Sequence, residues 1–223
     1  MRFLNFKIWL LIILLAAGGQ IFAQTAGKIK KESDSASIFE KVYKNLVAKP
    51  AWLVTDEALC PLDVIPDSET EIEYGSAGCL ENAETCFDKC KNNDGNACYA
   101  LALLIQEKKD IFQKQSEFLF LRACKLGVVS GCTNRAAAIF NLKEADEKSV
   151  KCAVDTFEKT CEKDDPWGCT MFGFALMQGK SRPKNPEKAL EILAKSCKYG
   201  DADDACKMAK QLIQEIKKSQ TIY

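Results

Sequence analysis

Histidine is absent from all 223 residues. That gap removes the imidazole, and with it the Ser-His-Asp and Cys-His nucleophile pairs, the histidine general base and the histidine metal ligand. No two cysteines stand as C-x-x-C, so a zinc site would have to be all-thiolate with some other spacing. Charge of one sign is lacking too: Lys+Arg 31 balances Asp+Glu 31. A nucleic-acid partner needs a basic stripe, and this balance argues against one. The apolar run at the start, Ile8 to Ala17, is ten residues long, half of the roughly 20 that a spanning helix requires.

That run has another reading. Arg2 and Lys7 precede it, Gly18-Gly19-Gln20 ends it, and Ile21-Phe22-Ala23 closes with a small residue. The order is that of a secretory signal, with cleavage expected before Gln24. Its removal takes away two cations and leaves 29 Lys+Arg against 31 Asp+Glu. The first cysteine is Cys60, which leaves no thiol near the cleavage site for a lipoprotein-type anchor. The expectation is a secreted or periplasmic chain with no stable membrane anchor, a retained anchor being the competing reading.

Cysteine, by contrast, is abundant, with 12 residues. Thiols sent to an oxidising compartment usually end as bridges, so a disulfide framework is expected and no metal or cofactor is assigned. Eight of the cysteines form four evenly recurring pairs: Cys90/Cys98, Cys124/Cys132, Cys161/Cys169 and Cys197/Cys206. Their first members are 34, 37 and 36 residues apart. A period in that range marks a stacked repeat array, in which each unit buries its apolar face against its neighbours.

Each pair encloses a loop rich in helix breakers (KNNDGNA, KLGVVSG, EKDDPWG, KYGDADDA) with helical sequence on both sides. Four residues before the first cysteine stand Cys86, Phe120, Phe157 and Leu193. Seven after the second stand Ile105, Ile139, Leu176 and Ile213. Helical spacing puts both sets on the cysteine face, in one seam. Ala102, Ala136 and Gly173, four after the second cysteine, are small enough for close helix approach, and Lys210 breaks the series in the terminal unit.

The stretch from residue 168 to 206, GCTMFGFALMQGKSRPKNPEKALEILAKSCKYGDADDAC, resembles the Sel1-like repeat in Cys169, Phe172-Gly173, Leu176, Gly179, Lys188-Ala189 and Ser196-Cys197. More narrowly it is similar to the cysteine-rich secreted branch known from Helicobacter. The resemblance spans about residues 79 to 215, although the first two units have charged inter-helix loops, QEKKD and KEADEK. It implies an all-α fold, an α/α solenoid of Sel1- or TPR-like helix hairpins cross-linked by Cys90–Cys98, Cys124–Cys132, Cys161–Cys169 and Cys197–Cys206. Geometry agrees, because a chain that doubles back within eight residues brings two Cα atoms within disulfide reach, about 4.4 to 6.8 Å. For the four remaining cysteines the expectation is Cys60 with Cys79, while Cys86 and Cys152 are bridged across units or left as thiols. A redox couple of Cys86 and Cys90 is a further alternative.

Ahead of the array, the residues after Gln24 are polar. Ser35 to Lys49 reads as an amphipathic helix, with Ile38, Phe39, Val42, Tyr43, Leu46 and Val47 on its apolar stripe. It is expected to cap the solenoid or else to bind a partner. Pro50 ends that helix, and Pro61, Pro66 and the acidic run from Asp67 to Glu73 mark a linker or an ordered loop before the array. The division is thus a signal at 1–23, an N-terminal segment at 24–78, the array at 79–215 and a tail at 216–223.

A solenoid of this kind implies a scaffold that binds a protein or peptide on its concave surface, with Tyr99, Arg135 and Lys210 as candidate lining residues. The resemblance also carries an enzymatic alternative, weak β-lactam binding or hydrolysis. The exported string with the required Ser-x-x-Lys pattern is Ser181-Arg182-Pro183-Lys184, in an inter-helix turn. No catalytic residue is assigned.

Overall fold

A computed structural model describes residues 34–53, 59–67, 82–109 and 114–221. The expected signal, residue Cys79 and most of the acidic run lie outside the described residues. The described residues are helical, without strands. Helix α1 covers 34–47. The others are α2 (Ala83–Lys91), α3 (Gly95–Lys108), α4 (Lys114–Lys125), α5 (Val129–Phe140), α6 (Glu147–Glu162), α7 (Pro166–Gln178), α8 (Pro186–Ala194) and α9 (Asp204–Thr221). From α2 onward each helix packs chiefly on the next, and α7 touches both α5 and α9. This is an α/α solenoid of stacked hairpins.

The tight turns between paired helices share one backbone solution. The residue three after the first cysteine takes a left-handed conformation each time: Asn93 (φ 70°), Gly127 (φ 100°), Asp164 (φ 57°) and Gly200 (φ 89°). Its N–H donates to the carbonyl of that cysteine, at 3.0 to 3.1 Å. Glycine, asparagine and aspartate are the residues that tolerate this region, and they close the preceding helix. Side-chain oxygens then open the next one. Asp94 accepts from the Ala97 N–H at 2.9 Å and Asp165 from the Gly168 N–H at 2.8 Å.

Helix pairs approach closely at the residue before the second cysteine. A Cβ at Gly131 would meet the Phe120 carbonyl at 2.8 Å, and one at Gly168 would meet Thr160 Oγ1 at 2.3 Å. The same position holds Ala97 and Ala205, both buried. Cys86, Phe120, Phe157 and Leu193 are also buried, as are Ala102 and Ala136. The seam read from helical spacing is the core.

That core falls into two apolar clusters. One joins Phe39, Val42 and Leu46 of α1 to α2, α3 and α4. The other runs from Ala136 of α5 to Ile216 of α9. Between them α5 also buries polar side chains, Ser130, Thr133 and Arg135. The α1 helix is therefore packed onto the first hairpin, with Val47 of the expected stripe turned to solvent. Lys41 pairs with Glu84 of α2 at 2.8 Å, and Lys109 pairs with Glu40 at 2.5 Å.

Candidate functional site

Four of the described bridges staple hairpin turns: Cys90–Cys98, Cys124–Cys132, Cys161–Cys169 and Cys197–Cys206, with Cα separations of 4.6, 4.7, 4.4 and 4.5 Å. Each joins a helix end to the start of the next helix. The fifth corrects the expectation for Cys60, which is bonded to Cys152 of α6 and not to Cys79. Cys86 is also disulfide-bonded, so it is neither a thiol nor half of a couple with Cys90. Cys152 lies 92 residues beyond Cys60, and only the path of the intervening chain brings the two together.

The chain around Cys60 forms a strap. At Trp52 the chain meets the first hairpin, edge-on to Phe87 of α2 with ring centroids 5.3 Å apart. Arg122 of α4 holds it there, donating to the Trp52 carbonyl at 2.6 Å and lying over the indole ring at 5.1 Å. The same guanidinium donates to the Cys90 carbonyl at 3.2 Å and to Asn93 Oδ1 at 2.8 Å. Residues 59–67 then cross the array. A single 3-10 turn, Pro61–Val64, packs against α4, α5 and α6. Pro61 is buried, its carbonyl 3.9 Å from the sulfur of Cys124, and Lys163 at the end of α6 donates to the Asp67 carbonyl at 3.2 Å. The backbone on either side of the turn is extended, with φ −73° at Cys60 and −63° at Ile65.

The candidate lining residues fall differently. Lys210 is exposed and pairs with Asp201 at 2.7 Å. Tyr99 is half-buried against Phe120, its ring centroid 5.6 Å away. Arg135 is 3% exposed and pairs inward with Glu117 of α4 at 2.5 Å, so it lines the α4–α5 contact and no open surface. Ser181 stands at φ 55° in the turn between α7 and α8 and opens no helix. Its neighbour Arg182 bonds Asp155 at 2.6 Å and Glu158 at 2.8 Å, which anchors that turn to α6. Cys197, Asp201 and Cys206 cluster tightly, but the two sulfurs are bonded to each other and offer no thiolate.

One polar constellation was not singled out by sequence. Asp165, the N-cap of α7, is buried and accepts from Ser130 Oγ at 2.5 Å, Thr133 Oγ1 at 2.6 Å and the Gly168 N–H at 2.8 Å. Thr133 Oγ1 also lies 2.9 Å from Thr160 Oγ1. Burial pushes the Asp165 carboxyl above its usual range, opposed by the hydrogen bonds from Ser130, Thr133 and Gly168 and by the charge of Lys198. A hydroxyl beside a carboxylate without a further base is a poor nucleophile. The arrangement joins α5, α6 and α7 and serves the fold. The available signal was the Asp-Pro opening of α7, which marks a cap without showing what else it holds.

Among the described residues no helix is long and apolar enough to cross a membrane. No protein-family model matches the chain, and no curated protein matches it. Among solved structures it is similar to c5321, a protective antigen of uropathogenic Escherichia coli strains that displays an SLR fold, with 19% identity and a TM-score of 0.47. That likeness covers 63% of this chain and 37% of the antigen, so the chain spans well under half of the antigen's length.

Proposed function

We propose that this chain acts outside the cytoplasm as a scaffold, binding a protein or peptide partner laid along its stacked hairpins on the concave surface such a stack creates. The observation that carries this reading is the strap. Residues 59–67 run over α4, α5 and α6 as a single 3-10 turn with extended residues on either side, so the array already accommodates a peptide across more than one hairpin. Five described bridges stiffen that surface. A rigid surface orders less on binding, and more of the contact energy remains as affinity.

Export is part of the proposal. Disulfides of this density persist in oxidising compartments, which agrees with reading Met1 to Ala23 as a signal removed before a 24–78 segment, a 79–215 array and a 216–223 tail. The near-neutral composition favours a protein or peptide partner over nucleic acid.

Panning a displayed peptide library on purified, oxidised residues 24–223 tests the reading. Extended sequences should enrich and should lose binding when the array is fully reduced and unfolded. Failure of any sequence to enrich above a disulfide-rich control protein refutes it.

A further inference from the structure

We propose that the face of α4, α5 and α6 is a docking site for a proline-bearing peptide with a single 3-10 turn, kept closed by residues 59–67 and latched by the Cys60–Cys152 bond, which a dithiol can open. This rests on the scaffold reading above and names the site, the peptide chemistry and the control.

Three observations carry it. The first is the occupant: Leu59-Cys60-Pro61-Leu62-Asp63-Val64-Ile65-Pro66-Asp67 crosses the face with Pro61 buried and the Asp67 carbonyl held by Lys163. Two prolines fix φ near −65° and lack N–H donors: Pro61 opens the 3-10 turn and Pro66 follows it, so the strap arrives pre-organised and is held through side chains and carbonyls. The second is anchoring. Trp52 is fixed by Arg122 before the strap, and the single bond at Cys60 fixes the strap itself to α6.

The third is access. Cys60 and Cys152 are both half-buried, whereas Cys90, Cys98, Cys124 and Cys132 are 0% exposed, Cys161 3% and Cys169 1%. Thiol–disulfide exchange requires the attacking thiolate to reach a sulfur. Cys197 is half-buried as well, but its partner Cys206 is 0% exposed, so among the five described bonds the strap bond is the one whose two cysteines are both within reach of a reductant.

The exchange balances as follows. One thiolate of a protein or small-molecule dithiol attacks a sulfur of the Cys60–Cys152 bond, forming a mixed disulfide and releasing the other cysteine. The second thiolate of the dithiol displaces the first cysteine. Cys60 and Cys152 each end as thiols, and the dithiol ends as a disulfide, having given up two electrons and two protons. Once open, the strap is only tethered. A tethered segment competes at an effective concentration of order millimolar, and a partner that exceeds it takes the site.

The test uses full-length mature protein carrying Cys60→Ser, which leaves the Cys152 thiol free. It is incubated in a glutathione redox buffer with a synthetic peptide of the sequence of residues 59–67 at about 1 mM, to match the tether. A second peptide keeps the cysteine in place and scrambles the rest. Non-reducing mass spectrometry should find at least tenfold more mixed disulfide at Cys152 with the native order than with the scramble. Equal trapping of the two overturns the proposal.

A second measurement needs no variant. Wild-type protein is titrated with dithiothreitol and quenched by alkylation. Cys60 and Cys152 should be labelled before the buried hairpin cysteines, and hydrogen exchange at residues 62–65 should rise at least tenfold while α4 and α6 stay protected. Simultaneous labelling and loss of helix protection overturns it. Library enrichment together with unselective trapping would leave the scaffold reading standing and remove the latch.

Discussion

Replacing Asp165 with alanine removes the acceptor of three hydrogen bonds at the joint between the third and second hairpins. The loss of the N-cap interaction with the Gly168 N–H costs about 1 kcal/mol. Ser130 keeps a buried hydroxyl whose carboxylate partner has gone, at about 1 to 3 kcal/mol. Thr133 fares better, since Thr160 Oγ1 stays 2.9 Å away. The sum for Asp165→Ala is about 3 kcal/mol. Asp165→Asn should cost far less. An amide oxygen in place of Oδ2 can still accept from Thr133 and Gly168, and the Ser130 hydroxyl can rotate to accept from the amide nitrogen.

The two variants also separate by pH. Burial raises the Asp165 carboxyl above its unfolded value, so between those values the folded chain binds more protons than the unfolded one. Stability from this group is then greatest below the ordinary carboxyl range and falls as pH rises toward the folded value. Asp146, bonded by Ser149, and Glu191, bonded by Lys188, are held below the ordinary range and slope the other way, so the difference between wild type and Asp165→Asn is the informative quantity. Urea unfolding followed by circular dichroism, with all disulfides intact, at pH 4 and pH 7 would measure it. The wild-type advantage over Asp165→Asn should shrink with rising pH. An Asp165→Ala cost within about 0.5 kcal/mol of zero would refute the reasoning, because surface substitutions without such features fall in that range.

Gly173→Ala should destabilise by about 1 to 3 kcal/mol in the same assay, since the new Cβ would lie 2.6 Å from Leu193 Cγ in a filled core. Arg122→Ala should cost about 2 to 3 kcal/mol through the Trp52 and Cys90 carbonyls it leaves and should speed proteolysis at residues 50–53. A non-reducing peptide map should recover the five described bridges and join Cys79 to Cys86, the two cysteines that those bonds leave over. A chromogenic cephalosporin should turn over no faster with the mature protein than in buffer, given that Ser181 lies in a turn and opens no helix.

Local spacing made the repeat legible. The cysteine pairs fix where each hairpin bends, and the helical period then places Phe120, Phe157 and Leu193 in the core without any knowledge of neighbours. Readings that depend on what lies opposite were harder to make. Arg135 looks like a surface cation until Glu117, on the preceding helix, is brought beside it. Along α9 the buried face centres on Ala209, Leu212 and Ile216, leaving Ile213 half-buried. A terminal helix has neighbours on one side only and needs a narrower apolar stripe than the helices inside the stack. Cys60 gave no local clue at all, because its partner is set by where the strap crosses and not by any period.

The strap bond and the hairpin bonds act on different parts of the unfolded chain. A bond across a separation of 8 residues, as at Cys161–Cys169, restricts a short loop and stabilises by about 2.5 kcal/mol in the chain-entropy model. The separation of 92 at Cys60–Cys152 corresponds to about 4.6 kcal/mol in the same model. The bond with both cysteines half-buried is thus also the one of the five described that most restricts the unfolded ensemble. Opening it still leaves four described hairpin staples, together about 10 kcal/mol on the same arithmetic, and leaves both apolar clusters without the loss of a core side chain. In a repeat array stability is a sum of units and nearest-neighbour contacts, and the strap is not one of those contacts. The fold can therefore survive release of the strap, which is the condition a latch must meet.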